Sequence, residues 1–159
     1  MSENRTNIAI ESPGVNVAVL RHAYEGWEFL LLKRSEHETY AGYWGFVYGQ
    51  RRGSETVGEL VRREVREETG LEPESIWATE YVEHYYEPNV DKIWILPLIV
   101  AVVPVDAQIV LSDENCEYRW LSASRAQRLL SWKNLVNAID EITDEIEVFP
   151  ARNWVQITS

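Results

Sequence analysis

The sequence has little of the chemistry that builds disulfides or thiolate metal sites. Cys116 is its only cysteine, so neither an internal disulfide nor a cysteine-cluster zinc site can form. The three histidines, His22, His37 and His84, are isolated from one another and lack the spacing of metal ligands. These absences favour a reducing compartment, and we expect a cytoplasmic protein.

Long apolar runs and positive charge are also scarce. The longest apolar stretch, 93–105, is too short to span a membrane and contains Pro97 and Pro104. The first residues have no apolar signal core, so we expect a soluble protein without membrane contact. Fifteen Lys and Arg residues stand against 26 Asp and Glu residues, a net charge of -11, which disfavours binding to long nucleic acids.

The apolar content is sufficient for one folded domain. Hydrophobic residues make up 45% of the 159 residues, with seven Trp and eight Tyr among them. We predict a single domain over 1–159, with residues 1–12 frayed. Residue patterning predicts five strands, at 15–20, 27–32, 43–48, 76–84 and 93–103, and helical segments at 56–69, 123–130 and 133–142.

The helix predicted at 56–69 carries three carboxylates on one face. At about 100° per residue, Glu64, Glu67 and Glu68 fall within an arc of about 100°, on the side that also holds the apolar residues of the helix. Three anions on an inward face repel one another and lose hydration. A hard divalent cation, Mg²⁺ or Mn²⁺, would satisfy them and bridge them to substrate phosphates. The alternative is a helix stabilised by i,i+4 ion pairs such as Arg63 with Glu67.

The residues around this helix form a longer pattern. The 49–71 segment fits G-x5-E-x7-R-E-U-x-E-E-x-G-U, where U is an apolar residue. The matched positions are Gly49, Glu55, Arg63, Glu64, Val65, Glu67, Glu68, Gly70 and Leu71. This pattern closely resembles the signature of the Nudix hydrolase family, and so many fixed positions rarely coincide by chance.

The resemblance implies an α/β (α+β) fold, an α/β/α sandwich with a mixed β-sheet and a catalytic loop and helix formed by the 49–71 segment. It implies a hydrolase that uses Mg²⁺ (or Mn²⁺) to cleave the pyrophosphate linkage of a nucleoside diphosphate attached to another group. By family habit, a homodimer is also expected.

Residues outside the 49–71 segment resemble one branch of the family, the dihydroneopterin triphosphate and nucleoside triphosphate pyrophosphatases. These residues are Tyr43, Trp44, 111–114, 118–121, Trp132 and Asn134. The branch implies a small-molecule nucleotide or pterin triphosphate as substrate, with a monophosphate and pyrophosphate as products. The alternatives are a nucleotide sugar, a dinucleoside polyphosphate or a capped RNA end as substrate, or a nucleotide-sensing module without catalysis.

The resemblance also implies roles within the pattern. Glu64, Glu67 and Glu68 match the family's metal ligands, and Gly49 matches the residue whose backbone carbonyl completes the ligand set. Glu64 is also a candidate general base, a role that the sequence does not separate from metal binding. Arg63 either orients the neighbouring carboxylates or forms an ordinary surface ion pair.

Further candidates are assigned outside that set. Glu114 resembles a distal acidic metal ligand, and its alternative is a solvated loop residue. Glu55 is either structural at the helix N-terminus or a ligand. Arg34 and Arg52 are candidate phosphate contacts, with simple exposure as the alternative for each.

Aromatic side chains and two strand carboxylates complete the candidates. Trp44 is predicted to stack on a base or pterin, and Tyr85, Tyr86 and Trp94 are further stacking candidates. Glu80 and Glu83 are weaker metal candidates, because alternation along a strand sends side chains toward solvent as well as inward.

Overall fold

Apolar side chains alternate between two faces along the strands of a central β-sheet. A computed structural model describes residues 6–159, which contain nine strands and three helices. The strands are β1 (Ala9–Glu11), β2 (Gly14–Ala23), β3 (Gly26–Arg34), β4 (Trp44–Gly45), β5 (Val47–Gln50), β6 (Ser75–Glu87), β7 (Lys92–Val102), β8 (Asn115–Leu121) and β9 (Val155–Gln156). The helices are α1 (Val57–Thr69), α2 (Ala123–Leu129) and α3 (Lys133–Ile146).

The sheet is mixed. Its strand order is β4-β3-β2-β7-β6-β9, with β1 paired to β7, β5 to β2 and β8 to β3. The β2–β7 and β1–β7 pairs are parallel, and the other pairs are antiparallel.

The two faces of the sheet bury separate hydrophobic clusters. Along β2, Val17 and Val19 pack in the cluster that contains the apolar face of α1. Ala18 and Leu20 pack in the other cluster, with the apolar residues of α2 and α3. One sheet between two helical layers confirms the predicted α/β/α sandwich.

Two strand predictions differ from the structure. Residues 9–11, within the segment predicted to be frayed, form β1 and pair with Lys92, Ile93 and Trp94 of β7; residues 1–5 lie outside the described part of the chain. The single strand predicted at 43–48 is two short strands, because β4 pairs with β3 whereas β5 pairs with β2. The chain changes partner at Phe46, so one continuous ladder does not form.

Helix α1 is fixed at both ends by its own sequence. The Thr56 side chain accepts a hydrogen bond from the Glu59 backbone N–H at 3.2 Å, and the Glu59 carboxylate accepts one from the Thr56 N–H at 2.7 Å. This reciprocal pair is a capping box. At the other end, Gly70 adopts the left-handed conformation with φ 72°, and its N–H donates to the Arg66 carbonyl. The register of the acidic residues on α1 is therefore set by two local caps.

Among residues 6–159, none of the three helices has the length and apolar character needed to cross a membrane.

The capping box of α1 contributes to stability, and Thr56→Ala tests this contribution. We expect the free energy of unfolding to fall by about 1 kcal/mol, because the Glu59 N–H loses its acceptor. Urea denaturation measures the change. Ser122→Ala is the matched control, since the Ser122 side chain makes no cap hydrogen bond to α2 within the described residues. Equal losses in the two variants would contradict the assignment.

Candidate active site

The Arg63 guanidinium connects the acidic residues at the start and middle of α1. Its Nε donates to Glu55 Oε1 at 2.6 Å and its Nη2 donates to Glu55 Oε2 at 2.9 Å, a bidentate pair. Nη1 donates to Glu64 Oε1 at 2.5 Å and to Glu67 Oε2 at 3.4 Å. Nη2 also donates to the backbone carbonyl of Gln50 at 2.9 Å. Arg63 therefore connects three segments: the loop between β5 and α1, which contains Glu55, the end of β5 at Gln50, and the carboxylates of α1.

Glu55 is held at the N-terminal side of α1. Its hydrogen bonds from Arg63 lower the pKa of the Glu55 carboxyl to about 2, with a further contribution from the Arg52 backbone N–H. The contacts with Glu55 raise the pKa of Arg63. Glu55 therefore has a structural contact that accounts for its position in the pattern.

Glu64 lies against the backbone of β5. A Cβ at position 49 would stand 2.3 Å from the Cγ of Glu64, so only glycine at 49 leaves room for this side chain. Burial raises the pKa of the Glu64 carboxyl, whereas the hydrogen bond from Arg63 lowers it. The close approach of the Glu64 side chain to the backbone of residue 49 thus explains why the pattern has a glycine at 49 and a glutamate at 64.

Glu68 is the buried carboxylate of α1, with 6% of its surface exposed. The loop before β8 covers it: the Ser112 N–H donates to the Glu68 backbone carbonyl at 3.2 Å, and the Asn115 side-chain amide donates to Glu68 Oε2 at 3.1 Å. Burial raises the pKa of Glu68 to about 8, the hydrogen bond from Asn115 lowers it, and the charges of Glu114 and Glu64 raise it further. Glu68 therefore lies near both Glu64 and Glu114.

The Glu67 side chain is more exposed than the side chains of Glu64 and Glu68. Its side chain is 46% exposed and pairs with Arg52 across 3.2 Å as well as with Arg63. The helical projection places the three carboxylates on one face, but only Glu64 and Glu68 are covered by neighbouring elements. The i,i+4 ion pair between Arg63 and Glu67 does form, beside the other contacts of Arg63.

The donor set has the chemistry that a hard cation requires. Within residues 6–159, no group of three or more His, Cys, Asp and Glu side chains is arranged to hold a metal ion, and Arg63 occupies Oε1 of Glu64. The nearby donors are nonetheless all oxygens, and Glu68 is a buried carboxylate beside two other acids with no ion pair of its own among the described residues. Because Gly49 has no Cβ, the Glu64 side chain lies directly against the backbone at position 49. These features fit Mg²⁺ or Mn²⁺, which bind carboxylate and carbonyl oxygens.

A cavity of about 560 Å³ opens beside these carboxylates. Arg34, Tyr48, Gln50 and Asn115 line it on the side of α1, and Asn115 contacts Glu68 directly. Its other wall is aromatic and comes from the loop between β3 and β4, from β6 and β7, and from the residues around the start of α3. Tyr40, Tyr85, Tyr86, Trp94 and Trp132 form this wall. The volume lies in the range of sites that bind small molecules.

The remaining predicted residues take three different positions. Arg34 lines the cavity, donates to the Thr39 carbonyl at 2.7 Å and pairs with Glu38. Arg52 is an exposed residue, paired with Glu67. Glu114 is exposed, next to the buried Asn115.

The structure places Trp44 away from the predicted stacking role. Trp44 is 8% exposed and belongs to the hydrophobic cluster under α2 and α3, with the Arg119 Cζ 5.2 Å from its ring centroid. The cavity wall at this point is formed by its neighbours Gly45 and Phe46. This prediction needs correction, because Trp44 fills the core beneath the site rather than the site itself.

Asn16, Gln50 and Asn115 are among the polar residues of the cavity that were missed as site candidates. Asn16 had a readable signal, because it is the one polar residue within the apolar run 15–20. Asn115 directly follows the acidic pair before β8. Gln50 is a strand-end residue, and its sequence context gives no signal that we recognise.

The raised pKa of Glu68 predicts how stability depends on pH in protein freed of metal by EDTA. The folded state binds this proton more tightly than the unfolded state, so its stabilising effect is complete below pH 4.5 and is lost as pH rises toward about 8. Over that window the loss is at most about 1.4 kcal/mol per pH unit for one proton.

Urea denaturation of the wild type and of Glu68→Gln at several pH values between these limits isolates the effect. We expect the free energy of unfolding of the wild type to fall more steeply with pH than that of the variant, since glutamine does not titrate. Parallel pH profiles would show that Glu68 is not the responsible group.

Comparison with known proteins places the fold in a family. The NUDIX domain family model matches residues 11–142. A search of curated proteins gives no match. Among solved structures, the MutT protein from Methanosarcina mazei is 31% identical, with a TM-score of 0.67 over 86% of this chain and 98% of that chain.

Two further structures share the fold at lower identity. The Caenorhabditis elegans Ap4A hydrolase in a binary complex is 17% identical, with a TM-score of 0.72 over 86% of this chain and 98% of that one. The Escherichia coli dihydroneopterin triphosphate pyrophosphohydrolase is 21% identical, with a TM-score of 0.62 over 82% and 96% of the two chains. The family match covers most of the sequence and includes the Arg63-centred carboxylates, and so this chain belongs to the Nudix family.

Proposed function

We propose that this protein is a divalent-cation-dependent pyrophosphohydrolase that cleaves a nucleoside or pterin triphosphate to the monophosphate and pyrophosphate. The observation that carries the proposal is the position of the Arg63-held carboxylates beside an aromatic cavity of about 560 Å³. A polyphosphate bound along α1 would place its heterocyclic group in that cavity.

Glu64, Glu68 and the Gly49 carbonyl would hold the cation, with Glu67 and Glu114 as further oxygen donors at the exposed side. When bound, Mg²⁺ or Mn²⁺ neutralises charge on phosphate oxygens and orients the diphosphate for attack by water. Either Glu64 or Glu68 accepts the proton of the attacking water, and both have a raised pKa in the chain itself.

The arginines have separate proposed roles. Arg63 is a positioning residue, because it fixes the Glu64 carboxylate against β5 without facing the cavity. Arg34 lines the cavity near Glu68 and contributes positive charge there. We assign it to a substrate phosphate, while Arg52, exposed in the loop, would reach the polyphosphate only from outside.

The names of the structural relatives support small phosphorylated substrates and define the alternatives. The E. coli relative is a dihydroneopterin triphosphate pyrophosphohydrolase and the C. elegans relative is an Ap4A hydrolase. A triphosphate is favoured here because the residues outside the 49–71 segment resemble the triphosphate-cleaving branch. A linked diphosphate, such as a nucleotide sugar or a dinucleoside polyphosphate, is the alternative substrate.

The test is release of pyrophosphate from a panel of nucleoside triphosphates and dihydroneopterin triphosphate, with Mg²⁺, with Mn²⁺ and with EDTA. We expect metal-dependent turnover, and we expect Glu68→Gln to lower kcat by about 100-fold or more. Glu72→Gln is the control, since Glu72 is exposed and pairs with Arg66 away from the cavity.

Each other result points to a different function. Monophosphates released from nucleotide sugars or dinucleoside polyphosphates, but not from triphosphates, would replace the proposed substrate. Tight nucleotide binding without turnover of any compound would indicate a sensing module.

Arg63→Lys tests the positioning role. Lysine supplies one charge without the planar fork that contacts Glu55 and Glu64 together, so we expect kcat to fall by about 10- to 100-fold and the Mg²⁺ concentration for half-maximal rate to rise. KM for the triphosphate should change little. Arg66→Lys, at an exposed surface pair on the same helix, is the control. A loss confined to KM would contradict the assignment.

A further inference from the structure

The cavity contains a buried carboxylate that the pyrophosphate chemistry does not use. Glu83 of β6 is 6% exposed and lines the cavity, on the side away from α1. Asn16 of β2, also buried, donates its side-chain N–H to Glu83 Oε2. Glu83 is paired in register with Leu96 of β7, which lines the same cavity. Three strands of the sheet therefore converge on one acidic group.

Glu83 has neighbours that donate hydrogen bonds but no cationic partner. Burial raises the pKa of Glu83, while hydrogen bonding from Asn134 and the charge of the adjacent His84 lower it. Within residues 6–159, no Lys, Arg or His side chain forms a salt bridge with Glu83. A buried carboxylate in this position is costly unless N–H donors satisfy its oxygens.

The Asn16 amide leaves part of that requirement open, since the Asn134 side-chain N–H donates to the backbone carbonyl of the adjacent His84 at 3.2 Å. A carboxylate offers about four acceptor positions on two oxygens, and the one amide donor from Asn16 fills only one of them. Both asparagines line the cavity. A ligand in the cavity can therefore supply the further donors.

The walls around Glu83 suit a planar ligand. Tyr85 follows on the same strand and is paired in register with Trp94, and both line the cavity. The Trp132 ring also lines the cavity and packs on Gly45, where a Cβ would stand 2.9 Å from the ring. Its centroid is 5.6 Å from that of Tyr40, in an edge-on arrangement. Aromatic rings that line a cavity favour contact with a flat heterocycle.

We propose that Glu83 selects a heterocycle whose adjacent ring N–H and exocyclic NH₂ both donate to its carboxylate, the edge that guanine and pterins share. Adenine and cytosine present a donor beside an acceptor, and the acceptor would face a carboxylate oxygen. The inference rests on the proposed function, which supplies a triphosphate substrate. It identifies the heterocycle that is attached to that triphosphate.

Binding of nucleoside monophosphates to the wild type tests the selection without hydrolysis. The fluorescence of Trp94 and Trp132 at the cavity, or calorimetry, reports the Kd. We expect the guanosine compound to bind about tenfold more tightly than the inosine compound, which lacks the NH₂ group, and the adenosine compound to bind more weakly still. Equal affinity for the guanosine and adenosine compounds would overturn the proposal. Parallel titrations with neopterin and guanosine then distinguish the pterin source from the purine source.

Glu83→Gln is the second measurement. A carboxamide presents one acceptor and one donor, so we expect the preference for guanosine over adenosine to shrink by about tenfold or more. Glu80→Gln is the matched control, because Glu80 lies on the same strand and is exposed. An unchanged preference in Glu83→Gln, with a normal thermal unfolding transition, would overturn the assignment. If this variant does not fold, the guanosine and inosine comparison in the wild type decides.

The two proposals fail in different ways. Absence of triphosphate turnover together with the expected order of monophosphate affinities would reject the enzymatic function and support the selection by Glu83. Turnover of all triphosphates at one rate, with no order of affinities, would support the enzymatic function and reject the selection.

Discussion

A single guanidinium organises the acidic part of this protein. Arg63 makes a two-pronged contact with Glu55, holds Glu64 and donates to the carbonyl of Gln50, so the loop after β5, the strand itself and the middle of α1 are fixed relative to one another. Without the Arg63 guanidinium, Glu55 and Glu64 would lose their cationic partner and the repulsion among the neighbouring carboxylates would rise. The close approach of Glu64 to Gly49 and the burial of Glu68 both depend on α1 remaining in this position.

The site divides into two parts that belong to different elements. The carboxylates come from α1, where the loop before β8 covers Glu68, whereas Glu83 comes from β6 and the aromatic wall from the β3–β4 loop, β6, β7 and the residues around the start of α3. Asn115 and Gln50 connect the parts, since each lines the cavity and each also contacts a residue of α1. Under the proposed function, phosphate chemistry and recognition of the attached group would therefore be carried by separate segments of the chain.

Sequence signals predicted helix α1 of the first part, and they named three aromatic residues, Tyr85, Tyr86 and Trp94, that line the cavity of the second part. Helix α1 was predictable from its terminal Gly70 and its residue pattern, and the sandwich followed from the resemblance of the 49–71 segment to the Nudix signature. The depth of each carboxylate was not predictable, because it depends on which neighbouring segment covers it: Glu68 lies under the loop at 110–115, while Glu67 does not. Trp44 was misassigned for the same reason, since an aromatic residue next to a site in sequence can pack on either side of the backbone. The cavity brings together Asn16, Glu83 and Asn134, which are far apart in sequence and form no motif.

The β6–β7 ladder contains an irregularity whose effect extends to the cavity. Between the pairs Ala78–Ile99 and Val82–Pro97 the register shifts, and this shift sets which side chains of the following stretch point inward. Because successive residues of a strand face opposite sides, removing a single residue there would exchange Glu83 for its neighbour His84. An imidazole would then line the cavity in place of the Glu83 carboxylate, with no change at the carboxylates of α1. A change in chain length at this one strand irregularity would therefore decide which side chain of β6 lines the cavity.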